Sequence, residues 1–222
     1  MTARDQPLSA LSRFVRPPAR EAPAEKCEMC AAELAPGHSL PMHCDGARIF
    51  NAALALETTA EKIASFADSV SFCLSKGLGC PVGSLLCGSS EFIAKARRIR
   101  KVLGGGMRQA GIIAAAGIVA LHTMIDRLAE DHLNARALAE GFSLIAGIEV
   151  RPVKRRTNMV VFDIAGNAQA AATFAASLKE RGVLVGSRGP TAFRAVTHYG
   201  ISRDDVNRAV AAASEAAAEA LS

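Results

Sequence analysis

The stretch SFCLSKGLGCPVGS, residues 71–84, joins an alternating apolar run to a glycine-rich loop, with one lysine at the junction. Val70, Phe72 and Leu74 alternate with smaller residues, as in a strand of the kind that lies in a parallel sheet. Ser75-Lys76-Gly77-Leu78-Gly79 then ends the run abruptly. A side chain placed there projects from the carboxyl end of a strand, where open α/β sheets bind ligands. Lysines in loops are ordinarily solvated charges, so any role for Lys76 has to come from its neighbours.

Upstream, Met42 to Cys44 reads as the end of a short strand. Asp45-Gly46-Ala47-Arg48 then leads into the helical stretch IFNAALAL, and Thr58 with Glu61 fits a capping box opening EKIASFA. Lys76 follows Asp45 by 76 − 45 = 31 residues, the length of one βα crossover. A right-handed connection of that kind sets two parallel strands side by side. Asp45 and Lys76 are therefore expected at the carboxyl edge of one sheet, two opposite charges facing one crevice.

Downstream, Val82 to Cys87 reads as another strand, and Ser89 or Ser90 caps a helix through Lys101. Gly104-Gly105-Gly106 breaks that helix, a long Ala-rich helix runs from Arg108 to about Leu128, and a further one spans Asp131 to Phe142. The pattern then turns to strands at Ile148–Val153 and Met159–Ile164, a helix over Ala168–Arg181, strands at Val183–Gly186 and Phe193–Thr197, and a last helix opened by a Ser202/Asp205 capping box. The expected organisation is a Pro-rich leader with a CxxC pair over 1–38, a larger α/β piece over 39–145, and a small α/β domain over 146–222.

With 222 residues, half of them hydrophobic, the chain can bury a sizeable core. Its longest apolar run, Ala110 to Leu121, is too short for a membrane span. Residues 1–26 carry Arg, Asp, Glu and Pro without the apolar segment of a signal peptide. A cytoplasmic home follows, with Cys27, Cys30, Cys44, Cys73, Cys80 and Cys87 as reduced thiols. The net charge of +5 raises the question of nucleic acid. The densest basic run, KARRIRK at 95–101, lacks interleaved aromatics, and the chain has no Trp and one Tyr. It reads as a solvated or anion-facing helix, so neither a nucleic-acid nor a membrane partner is expected.

A lysine amine beside an aldehyde cofactor forms a Schiff base, and pyridoxal phosphate is the cofactor that most often uses one. Its pyridine nitrogen must stay protonated to accept electrons, which calls for a carboxylate, and Asp45 can serve. Arg48 can offer a planar fork to the carboxylate of an amino acid. Asp-Gly is equally a common turn pair, and Arg48 equally a surface cation.

The three stretches MHCDGARIFNAALAL, DSVSFCLSKGLGCPVGSLLCG and ARRIRKVLGGGMRQAGIIAAAGIVAL, in that order, resemble the low-specificity L-threonine aldolases of the fold-type-I pyridoxal phosphate enzymes. The resemblance covers about Leu40 to the C-terminus, and FRAVTHYGIS fits it too. It implies part of a fold-type-I large domain, a mainly parallel sheet with helices, followed by a small C-terminal α/β domain. By the same likeness Lys76 forms the Schiff base, Asp45 partners the pyridinium, and Arg48 and Arg194 hold the substrate carboxylate. Lys101 and Arg108 match residues that serve the site of a neighbouring subunit, in a homo-oligomer that is a dimer or tetramer. His43 reads as a satisfied structural histidine. The implied reaction splits a β-hydroxy-α-amino acid, L-threonine or L-allo-threonine, into glycine and an aldehyde.

In the family, roughly the first third precedes the Asp-Gly-Ala-Arg motif and supplies the phosphate-binding turn and a histidine stacked on the cofactor. Residues 1–38 match none of this, so the isolated chain is expected to be truncated and impaired. Competing readings are a noncatalytic remnant or interaction protein, and a pyridoxal phosphate-dependent β-eliminating lyase or racemase. A zinc half-site at Cys27-x-x-Cys30 with His38 and His43 is also conceivable, but the spacing is poor for a closed tetrahedron, and no metal is expected.

Overall fold

The computed structural model describes residues 40–222, and its contacts divide the chain into two compact units between Ile125 and Asp126. The CxxC pair and His38 lie outside the described residues.

The N-terminal unit begins with strand β1 (His43–Asp45), helices α1 (Ile49–Ala55) and α2 (Ala60–Ala64), and strand β2 (Ser69–Cys73). Thr59, not Thr58, caps α2, its hydroxyl accepting from the Lys62 N–H at 3.1 Å. Thr58 is committed to closing α1, since its own N–H donates to the Ala53 carbonyl. Strand β1 pairs with β2 in parallel, with His43 opposite Ser69, Cys44 opposite Val70 and Asp45 opposite Ser71. Strand β3 (Ser84–Gly88) returns antiparallel on the other side of β2. This sheet is thus mixed, where a mainly parallel one is expected from the sequence. The link 74–83 is shorter than the dozen or so residues a parallel crossover needs, so the chain doubles back.

Helix α3 (Ser90–Val102) is capped by the Ser89 hydroxyl, which accepts from the Phe92 N–H at 3.2 Å. Helix α4 spans Gly111–Thr123, shorter than the expected run from Arg108 to Leu128. Gln109 adopts a left-handed φ of 49°, which turns the backbone and delays the helix start. The core of this unit gathers Ile49, Phe50, Ile63, Val70, Phe72, Leu74 and Leu78, with Phe50 edge-on to Phe72 at 5.3 Å between centroids. No single helix among the described residues is long and apolar enough to cross a membrane.

The C-terminal unit comprises α5 (Leu128–Ser143), β4 (Ile148–Val150), β5 (Met159–Ile164), α6 (Ala168–Glu180), β6 (Gly186–Ser187), β7 (Ala192–Val196) and α7 (Arg203–Leu221). Its strands run in the order β4-β5-β7-β6, every pair antiparallel. The buried side chains of β5, Val160, Phe162 and Ile164, alternate with half-buried ones, which is the period-two pattern of a strand with one face on a core. Helix α5 packs on β4, β5 and α7. A Cβ added at Gly141 of α5 would stand 2.4 Å from the Val210 Cγ2 atom of α7, so the absence of a side chain there sets how closely the two helices approach.

The Ser202–Asp205 capping box forms as expected from the sequence. The Ser202 hydroxyl and N–H both donate to the Asp205 carboxylate, and Arg208 contacts it as well. These bonds lower the Asp205 carboxyl to about 2, chiefly through the Ser202 hydroxyl. A depressed acid stabilises the folded state above its unfolded value and loses that contribution as pH falls through the folded one. Helical circular dichroism is therefore expected to gain an acid-induced loss between about pH 4 and pH 2 that Asp205→Asn removes. An identical acid limb in that variant would contradict the role given to the cap.

Candidate functional site

Asp45 is the last residue of β1, and the chain turns immediately after it. The Asp45 Oδ1 atom accepts from the Ala47 N–H at 3.1 Å, which orients the carboxylate at the strand edge. Gly46 is enclosed: an added Cβ would lie 3.0 Å from the Ser71 carbonyl oxygen and 3.0 Å from Val70 Cγ2. The backbone oxygen cannot yield, so glycine is what lets β1 press against β2 at this point. Arg48, half-buried, stands at the N-cap of α1.

Lys76 sits just past β2 in a turn whose Gly79 N–H donates to the Lys76 carbonyl at 2.9 Å. Gly79 takes a φ of 72°, a conformation that favours glycine. Leu74, Leu78 and Cys80 on either side are buried, and the Leu74 and Cys80 backbones are bonded to each other at 3.0 Å. The Lys76 side chain itself is exposed and makes no hydrogen bond or ion pair among the described residues. A rigid, buried-flanked turn thus presents an uncommitted amine at the same sheet edge as the Asp45 carboxylate.

Lys101 lies in the last turn of α3 and Arg108 beyond the three glycines, both exposed. Around them Val102, Leu103 and Met107 are 80%, 79% and 64% exposed, and helix α3 buries none of its residues. Arg194 belongs to the C-terminal unit, on β7 opposite Val161 of β5 and Gly186 of β6. Its Nε atom is buried without a hydrogen-bond partner among the described residues.

The sequence reads His43 as a satisfied structural histidine without its partners, and it leaves the Arg127–Asp131 pair unread. His43 bonds to two serines of β2, its Nδ1 atom 2.8 Å from the Ser69 hydroxyl and its Nε2 atom 3.3 Å from that of Ser71. In the C-terminal unit, Arg127 pairs at 2.5 Å with Asp131, whose side chain is fully buried, and Thr197 donates its hydroxyl to the Asp131 carbonyl at 2.6 Å. Only the Ser-x-Ser spacing in SVSFC hinted at the first, and the i,i+4 spacing of Arg127 and Asp131 marks the pair but not its burial. Among the described residues no group of His, Cys, Asp and Glu is arranged to hold a metal ion.

The fold is that of the fold-type-I pyridoxal phosphate enzymes. It aligns over 86% of this chain and 44% of the other with TDC from Oryza sativa, solved with PLP, at a TM-score of 0.69 and 17% identity. The chain belongs to the beta-eliminating lyase family, whose sequence profile matches residues 25–165. That match begins within the 1–38 segment that reads as an unmatched leader. Among curated relatives, low-specificity L-threonine aldolase 1 of Arabidopsis thaliana is 44% identical over 79% of this chain and 49% of its own length. The low specificity L-threonine aldolase of Escherichia coli K12 is 45% identical over 76% and 48%. The chain therefore spans about half the length of the curated relatives it matches.

Proposed function

We propose that this chain carries the cofactor-bearing part of a pyridoxal phosphate-dependent carbon–carbon lyase of the threonine aldolase type. The observation that carries the reading is the placement of an uncommitted Lys76 amine and the Asp45 carboxylate at the ends of two adjacent parallel strands, in a chain 44–45% identical to two threonine aldolases. The donor set fits the cofactor: an amine for its aldehyde, and a carboxylate with its second oxygen open to a pyridinium N–H. When bound, pyridoxal phosphate supplies an electron sink for the pair released as the Cα–Cβ bond breaks.

The chain's own residues do the holding. Lys76 would hold the cofactor through its amine. Asp45 would favour a protonated ring nitrogen through its negative charge. Arg48 and Arg194 receive the α-carboxylate of an L-threonine or L-allo-threonine substrate, and the unsatisfied Nε of Arg194 supports that role. The β-hydroxyl proton leaves, Cα gains a proton, and glycine and an aldehyde result. Lys101 and Arg108 serve the site of a neighbouring copy in a homo-oligomer. The exposed Val102, Leu103 and Met107 beside them support such an assembly, since apolar side chains that large gain by leaving water. The action is placed in the cytoplasm, in keeping with the free thiols at Cys44, Cys73, Cys80 and Cys87.

The test is chemical trapping. With excess pyridoxal phosphate and borohydride, peptide mapping is expected to find the reduced adduct on Lys76 in preference to Lys95 and Lys101, and Lys76→Ala is expected to lose it. Even labelling of all three lysines would make Lys76 an ordinary surface amine. Release of ammonia and a 2-oxo acid from substrate, in place of glycine and an aldehyde, would move the reaction to β-elimination.

A further inference from the structure

We propose that His43 is a positioning residue, a strap that fixes the register of β1 on β2 and with it the place of Asp45 at the strand edge. The consequence for Asp45 rests on the cofactor reading above, whereas the strap stands on its own geometry.

Strand β1 is three residues long, and so short a parallel ladder does little by itself to resist slipping. Register matters here more than usual, because a slip of one residue turns every side chain to the opposite face. His43 and Asp45 are two apart on β1 and share one face, as Ser69 and Ser71 do on β2. The imidazole ring spans both serines, with Nδ1 at 2.8 Å from Ser69 and Nε2 at 3.3 Å from Ser71. After a slip by one, the facing pair becomes either Asp68 with Val70, of which only Asp68 carries a polar side-chain atom, or Val70 with Phe72, which carry none. Only the observed register satisfies both nitrogens.

Other contacts secure the two ends of this pairing. The Met42 N–H donates to Asp68 Oδ2 at 2.7 Å, the Met42 carbonyl accepts from Asp68 and Ser69, and the Cys73 N–H reaches the Ala47 carbonyl at 3.4 Å. His43 differs from them in bridging two positions of β2 at once, directly beside Asp45. Serine hydroxyls rotate to donate or accept, so the bridge holds with either tautomer of the ring and with the doubly protonated ring.

The experiment compares the parent chain with His43→Ala and His43→Gln, whose amide keeps one donor and one acceptor. The first readout, without cofactor, is backbone hydrogen exchange at Cys44, Asp45, Val70 and Ser71, with Phe162 and Phe174 as internal references. His43→Ala is expected to speed exchange about ten-fold in the strand pair, the effect of losing roughly one net hydrogen bond, with the references unchanged. His43→Gln should recover most of the protection. The second readout is the pH midpoint of the pyridoxal phosphate absorbance band, expected to move by about one unit in His43→Ala as Asp45 leaves the ring nitrogen.

Unchanged exchange in His43→Ala would overturn the strap. Faster exchange with an unmoved midpoint would reduce His43 to a stabilising contact and overturn its positioning role. If the parent chain forms no adduct at Lys76, the cofactor reading fails, and hydrogen exchange alone still decides whether the strap exists.

Discussion

Phe162→Ala is expected to lower the stability of the C-terminal unit by about 3–5 kcal/mol. The side chain is fully buried at the centre of β5. Its ring meets Phe142 edge-on at 4.9 Å, stacks on Phe193 at 5.8 Å and an interplanar angle of 27°, and meets Phe174 at 6.2 Å. Truncation removes the transfer energy of a whole ring and leaves a cavity walled by three other rings held on three separate elements. Such walls cannot collapse together without breaking strand or helix. Phe162→Leu keeps most of the volume and should lose much less. The chain has no Trp, so urea unfolding is best followed by far-ultraviolet circular dichroism. A loss under about 1.5 kcal/mol, well below the range for a buried Phe, would mean that the cluster is far looser than its geometry indicates.

Asp131→Ala carries the second large effect, a destabilisation of about 3 kcal/mol, the low end for breaking a buried ion pair. The Asp131 side chain is fully buried and that of Arg127 only 17% exposed. Removing the carboxylate strands the guanidinium beside Glu130, a rim partner that is 57% exposed. The intact pair is itself not fully satisfied, since Arg127 Nε and Asp131 Oδ2 have no hydrogen-bond partner among the described residues. Much of the desolvation of both charges therefore stays uncompensated. A double replacement, Arg127→Met with Asp131→Leu, is expected to recover most of the stability lost by the single one. Tyr199 is the sole tyrosine and lies 5.2 Å from the Arg127 guanidinium, so its fluorescence reports this spot directly. A double variant as unstable as Asp131→Ala would show that the pair stabilises in its own right.

Local patterning made much of the fold legible. Met159–Ile164 is a strand over the expected residues, because one face of it meets a core and the other does not. The helix at 168 and the Ser202–Asp205 capping box are likewise short-range features. Where apolar residues serve packing without a ladder, the same reasoning misplaces the strand. Val183 and Val185 pack as half-buried side chains against the core, and the Val183 N–H closes back on the Leu178 carbonyl, so pairing begins only at Gly186. Strand direction is also invisible locally. Alternation at Val82–Cys87 marks a strand equally well whether it runs with β2 or against it, and the length of the 74–83 link decides.

Asp45 and Lys76 stand where the sequence puts them, at a strand end and in a glycine-rich turn, because a turn pair and a run of glycines each leave a local mark. The partners of His43 left no such mark, since strand pairing brings them together, whereas Arg127 and Asp131 are four residues apart and only their burial depends on packing. A serine two places from another serine is no more than a hint until a ring arrives between them.

The turn that presents Lys76 has one more consequence. With Leu74, Leu78 and Cys80 buried around it and its backbone bonded shut, the Cα of Lys76 is a fixed post and its side chain a tether. What remains to be frozen in any covalent encounter is the tether's torsional freedom, roughly 2 kcal/mol, and no backbone entropy. The amine therefore sweeps a shell about one point whose outer limit is its extended length. Carbonyl groups held within that shell meet it at a high local concentration, and those held even slightly outside it do not meet it at all. Selectivity at Lys76 is in this sense set by distance, by how far from the post a bound molecule carries its carbon, before any contact with the rest of that molecule is made.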